Sequence, residues 1–95
     1  MIEPNRINFI ESNRRKLVIH IGKDAVETYG VLECIRRELP NSFIQCHKSF
    51  LVNMDYIAEL RSERIRLMSG DVVPVSQKRR KTVKDAFAIY MQGSL

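Results

Sequence analysis

The sequence predicts a mainly β fold with one or two helices. Short apolar segments separated by polar, turn-forming residues run through most of the chain, which is the spacing of strands. Only two stretches, residues 31–39 and the segment from about residue 77, repeat their apolar residues at helical intervals. Ninety-five residues, 44% of them hydrophobic, suffice for one core but not for two, so residues 1–95 are predicted to form one domain.

Ile7 to Glu11 has the composition of a first strand, and Ser12-Asn13-Arg14-Arg15-Lys16 that of a polar loop with three cations at its tip. Leu17 to Ile21 predicts a second strand, within which His20 is expected to be structural. Gly22-Lys23-Asp24 marks a turn, and Ala25 to Tyr29 returns as a third strand. A helix is predicted over Val31 to Leu39, with Leu32, Ile35 and Leu39 on one face and Pro40 as its stop. Arg36 and Arg37 lie in its last turn, where cations suit the helix dipole without any ligand.

Phe43 and Ile44 open a strand that runs into His47, Lys48 and Ser49 before a second apolar cluster, Phe50-Leu51-Val52. A polar patch held between two apolar anchors is a fixed corner, and His47 and Lys48 are expected to project from it. Ser49 is a candidate cap for a short helical turn, and Asn53 followed by Asp55 a candidate for closing or reopening one. Tyr56 to Leu60 and Ile65 to Met68 predict strands, and Ser69-Gly70-Asp71 a hairpin turn leading to a strand over Val72 to Val75. Pro74 cannot donate to a ladder, so that last strand belongs at an edge.

Ser76 has the residue type of an N-cap for the final helix, whose Val83, Ala86, Phe87, Tyr90 and Met91 fall on one face. The first turns of this helix carry Lys78, Arg79, Arg80, Lys81 and Lys84, opposed only by Asp85. Cations at a helix N-terminus are unfavourable by a few tenths of a kcal/mol each. An anion docked there reverses the sign, because backbone N–H groups, dipole and cations then all favour phosphate. The final Gly-Ser-Leu predicts no structure.

Sixteen Lys and Arg against eleven Asp and Glu give a net charge of +5, which points to an anionic partner without choosing its class. No apolar run approaches the roughly 20 residues of a membrane span, and the N-terminus lacks the apolar core of a secretory signal, so a cytoplasmic protein without membrane contact is expected. Cys34 and Cys46 have no zinc-like spacing to each other or to His20 and His47, so both are expected reduced, with no metal and no cofactor.

Phe43-Ile44-Gln45-Cys46-His47-Lys48-Ser49-Phe50-Leu51-Val52-Asn53, continued by Met54-Asp55-Tyr56-Ile57, resembles the signature of the LytTR-type DNA-binding domain. Ile7-Asn8-Phe9-Ile10-Glu11-Ser12 resembles that family's opening strand, and Gly70-Asp71-Val72-Val73-Pro74-Val75-Ser76 its glycine-to-serine segment, so the likeness spans about residues 7–87. It implies a LytTR-like arrangement of small antiparallel sheets and a bacterial transcription regulator of the response-regulator, two-component type, acting as an output domain or alone. It further implies contact with double-stranded DNA, in paired direct-repeat half-sites, and a receiver domain or partner subunit. By the same resemblance Arg15, His47, Lys48 and Gln77 contact bases, while Arg14, Lys16, Ser49, Asn53, Lys78, Arg79 and Arg80 contact phosphates. Lys48 stands where members carry Arg or Asn, and Gln77 where Arg is common. Lys suits guanine and Gln suits adenine, so the target sequence does not transfer from relatives.

Two other classes compete. A basic module for RNA or an acidic protein fits the charge, but Phe9, Phe43, Phe50 and Phe87 all have core positions, which leaves few aromatics for stacking single-stranded bases. An enzyme built on Cys46 and His47 is disfavoured because neighbours in a strand point to opposite faces.

Overall fold

The structure, a computed structural model, describes residues 2–93; Ser94 and Leu95 at the chain end lie outside the described residues. Strands β1 (Phe9–Asn13), β2 (Lys16–Ile21), β3 (Asp24–Tyr29), β4 (Phe43–His47) and β5 (Phe50–Asn53) form an antiparallel sheet in the order β3-β2-β1-β5-β4. A second antiparallel sheet holds β6 (Ile57–Leu60), β7 (Arg64–Leu67) and β8 (Val72–Pro74) in the order β6-β7-β8. Pro74 thus ends an edge strand, as its missing N–H requires.

The two-residue side-chain period of a strand divides the large sheet between two cores. Phe9, paired with Val52, faces a core shared with the small sheet through Ile65, Leu67 and Val73. Ile10, paired with Leu51, points to the other face, where Leu17, Ile19, Phe43 and Leu32 gather. Ile10, Leu51, Ile65 and Leu67 are wholly buried, each contributing about 1.5–3 kcal/mol of transfer free energy. His20 is structural, as expected: its ring stacks on Phe9 at a centroid distance of 4.0 Å, and its Nε2 lies 2.8 Å from Glu11 Oε1.

Both helices differ in detail from the sequence expectation. Helix α1 spans Leu32–Arg36, shorter than 31–39, because Glu38 and Leu39 donate to Ile35 and Arg36, three residues back, and tighten the chain into turns. Leu32, Ile35 and Leu39 still face the second core. The C-terminal helix begins as a 3-10 turn, Gln77–Arg79, and continues as α2, Arg80–Gly93. Ser76 occupies the N-cap position, but its hydroxyl makes no capping bond. Val83, Ala86, Phe87 and Tyr90 pack on the first core, whereas Met91 is 52% exposed. At 100° per residue Met91 sits about 80° round from Val83, outside the buried stripe.

Two backbone details position the functional edge. The connection from β1 to β2 is a tight turn at Arg14 and Arg15, with Ser12, Asn13 and Lys16 inside the paired strands. Arg14 has a φ of +63°, which costs a non-glycine residue roughly 1 kcal/mol. Gly30, at a φ of +157°, donates its N–H to Arg15 O at 2.8 Å, and a Cβ there would meet Leu17 Cδ1 at 3.2 Å. Glycine lets the chain leave β3 while bracing the turn from behind.

Candidate nucleic-acid interface

Three connections carry the cations and polar groups singled out in the sequence, and the fold brings them together. The β1–β2 and β4–β5 hairpins lie side by side because β1 pairs with β5, Glu11 opposite Phe50. Ser12 N donates to Ser49 O at 2.8 Å, tying the base of one turn to the other. Ser76 N donates to Cys46 O at 2.9 Å, which fixes the start of the C-terminal helix against the end of β4. Arg14, Arg15, Lys48, Gln77 and Lys78 therefore share one edge of the molecule, and all five are exposed.

The β4–β5 turn is a rigid mount. Lys48 and Ser49 form the connection, and a register shift between Gln45 and His47 places a bulge at Cys46. Ser49 N donates to His47 Nδ1 at 3.1 Å, and the His47 ring packs edge-on to Phe50 at 5.7 Å. A ring that accepts at Nδ1 carries its hydrogen on Nε2, so His47 offers a donor away from the turn. Gln45 Nε2 reaches Lys48 O at 3.4 Å from the other side. Ser49 thus serves a hairpin turn in place of the helical turn that its residue type suggests.

Asn53 leaves the set of phosphate contacts. Its side chain is fully buried, donating to Ile7 O at 3.0 Å and accepting from Asp55 N at 3.0 Å. With both ends of the amide committed, the residue joins β5 to the segment before β1 and opens the 3-10 turn Met54–Tyr56.

The remaining residues divide by exposure. Lys16 is exposed and lies 3.4 Å from Glu27 Oε1, a surface pair worth at most about 1 kcal/mol that a phosphate can replace. Arg79 and Arg80 are half-buried, and Ser76 Oγ, Arg79 Nη1 and Arg80 Nε are buried without a partner among the described residues. Arg80 lines the flank of α2 facing the β6–β7 turn, so its guanidinium does not simply extend the edge formed by Gln77 and Lys78. Tyr29, 82% exposed, was not singled out in the sequence. It pairs with Lys16 and lines a 430 Å³ depression with Asn13, Arg14 and Arg15. Only strand register reveals this neighbour, since it is fourteen positions from Arg15 in the chain.

The Cys46–His47 alternative finds no support in the geometry. Cys46 is fully buried, and burial pushes its thiol up to about 12 from an ordinary value near 9, so it is protonated at neutral pH. Cys34, on α1, lies across the large sheet from Cys46 and is exposed. Alkylation of the folded protein at pH 8 is accordingly expected to label Cys34 alone, and denaturant to release Cys46. Equal labelling rates, followed by peptide mass spectrometry, would contradict the assigned burial. Because the folded thiol holds its proton above the pH at which the unfolded one ionises, Cys46 also withdraws stability as pH rises from about 9 toward 12. Among the described residues no three His, Cys, Asp or Glu side chains gather as metal ligands, and no helix is long and apolar enough to cross a membrane.

The profile of the LytTr DNA-binding domain matches residues 1–88. The chain belongs to the LytTr DNA-binding domain family. The match reaches the first residues, which the sequence motifs had left out. Among similar proteins, the sensory transduction protein LytT of Oceanobacillus iheyensis is 32% identical over 95 residues, covering 90% of this chain. LytT of Enterococcus faecalis is 27% identical and the transcriptional regulatory protein BtsR of Salmonella typhi 28%, each over 94% of the chain. The chain spans 39% of the length of each of these relatives. The LytTr DNA-binding domain of a methyl-accepting/DNA response regulator from Bacillus cereus superposes with a TM-score of 0.81 at 24% identity, covering 90% of this chain and 84% of that one. That likeness bears out the expected fold: mainly β, in small antiparallel sheets, with a helix following Ser76.

Proposed function

We propose that this LytTr domain recognises specific sequences of double-stranded DNA and regulates transcription from them, as the output domain of a response regulator or as a stand-alone regulator in the cytoplasm. The family is one of DNA-binding domains, and the observation that carries the finer reading is the convergence of three cationic connections on one edge. The two hairpins lie two strand spacings apart, about 10 Å between their centres. A major groove about 12 Å wide admits one two-stranded ribbon, so the two tips follow one another along the DNA rather than lying together across one groove, with Arg15, His47 and Lys48 toward base edges. Gln77 flanks them from the next element. Arg14, Lys16, Ser49, Lys78 and Arg79 supply the phosphate contacts, and Arg80, turned to the β6–β7 flank of α2, stands apart from them. Paired direct-repeat half-sites then need two copies of the domain.

The RNA alternative gains nothing from the arrangement of aromatics. Phe9 and Phe43 are buried, Phe50 and Phe87 pack on the core, and Tyr29 alone is wide open beside the basic turn. One ring is not a stacking platform for successive bases. Titrating a duplex selected from a random library at increasing salt tests the reading. With several phosphate contacts the log–log slope is expected between about −3 and −6, at about −0.9 per phosphate. A slope shallower than about −1, or equal affinity for duplex RNA of the same charge, would remove it.

A further inference from the structure

A groove of about 760 Å³ runs between the flank of α2 and the β6–β7 turn, within the size range of about 300–1,000 Å³ typical of ligand clefts. Its floor includes Leu60, Val75 and Phe87, and its rim carries Arg61, Arg80 and Lys84. Lys81 also lines it, so four cations stand against one carboxylate, Asp85. Asp85 is already engaged, 3.1 Å from Lys81 Nζ, and Arg61 is held by Glu59 at 2.9 Å. Arg80 and Lys84 form no ion pair among the described residues, and Arg80 Nε is buried without a hydrogen-bond partner.

We infer that this groove is a docking site for an acidic peptide segment of a protein partner, distinct from the DNA edge. A phosphate backbone satisfies the cations but has no apolar groups to cover the floor, whereas a peptide alternating acidic and apolar residues satisfies both. The spacing fits. Arg80 and Lys84 are one helical turn apart, about 6 Å along the axis, and carboxylates at i and i+2 of an extended peptide are about 6.6 Å apart. The intervening side chain then points the opposite way, toward Leu60 on the β6–β7 wall. The contact lets DNA and a protein occupy the domain together. Met91, exposed on the same flank of α2, extends the apolar surface beyond the groove.

The probe is a fluorescein-labelled peptide of alternating Asp and Leu, with a Lys and Leu peptide as its charge-reversed control, titrated by anisotropy into the whole chain with and without its selected duplex. The acidic peptide is expected to bind saturably with Kd of about 10–100 µM, and the basic one not to bind. R61E combined with K84E is expected to weaken the acidic peptide by at least about tenfold and more than it weakens the duplex, while the order of preference among duplexes and the circular dichroism spectrum stay as in the parent. Absence of saturable binding up to about 1 mM overturns the inference. So does binding that the double variant leaves unchanged, and so does displacement by duplex, which would assign the groove to the DNA interface. Because the peptide titration without duplex needs no DNA, failure of the DNA reading leaves this result legible.

Discussion

Asn53→Ala is expected to destabilise the domain by about 2–4 kcal/mol, as much as truncating a buried core aliphatic residue. The amide joins Ile7 O to Asp55 N from a position with no exposure to solvent, so truncation leaves a buried carbonyl and a turn N–H unpaired and opens a cavity between them. Its backbone adds to the junction: Asn53 N donates to Asn8 O, and Met54 N to Ser42 O. The side chain therefore links the start of β1, the end of β5 and the entry to the small sheet at one point. At about 4–8 °C per kcal/mol for a domain of this size, the loss corresponds to a fall in Tm of roughly 10–30 °C. Urea unfolding of parent and variant measures it directly. A change below about 0.5 kcal/mol, with DNA affinity falling instead, would return Asn53 to the phosphate set from which its burial removes it.

Asn53 also marks the limit of what the residues alone convey. The motif around it was legible because its irregular order of apolar and polar residues is specific, and strands, turns and the edge position of Pro74 followed from period and turn chemistry. The turn that Asn53 opens with Asp55 was legible, but its bond to Ile7 O was not, because whether an Asn faces phosphate or a buried carbonyl depends on a segment forty-six positions away. Tyr29 was missed for the same reason, being brought to the basic turn by cross-strand pairing with Lys16. The length of α1 was overestimated since Leu32, Ile35 and Leu39 share a face whether the last turn is α or 3-10. Arg80 shows a subtler limit. Its charge pointed to an anion, but the side of the helix from which it reaches depends on where Val83 anchors α2 in the core.

The effect on function expected to be largest separates two kinds of residue on the DNA edge. Lys48→Ala and Gln77→Ala are each expected to cost about 1–3 kcal/mol on the preferred duplex and much less on duplexes altered at one position, flattening the preference there. Arg79→Ala is expected to weaken all sequences alike and to reduce the salt slope by about 1. The distinction rests on mounting. Lys48 stands at the apex of a turn whose conformation is set by Ser49 N on His47 Nδ1 and by Gln45 Nε2 on Lys48 O, so the backbone from which its side chain projects is fixed. A donor projecting from a fixed turn tip is expected to reach base edges, while Arg79, half-buried beside the start of the helix, is expected to meet only phosphate. Gln45→Ala, which keeps Lys48 but removes one brace of the turn, is then expected to lose part of the same discrimination with little change in the salt slope. Anisotropy titrations of the variants against a panel of singly substituted duplexes provide the measurement. If Lys48→Ala lowers affinity equally for every duplex in the panel, the β4–β5 turn lies on the phosphate backbone and base reading has to come from Arg15 and Gln77.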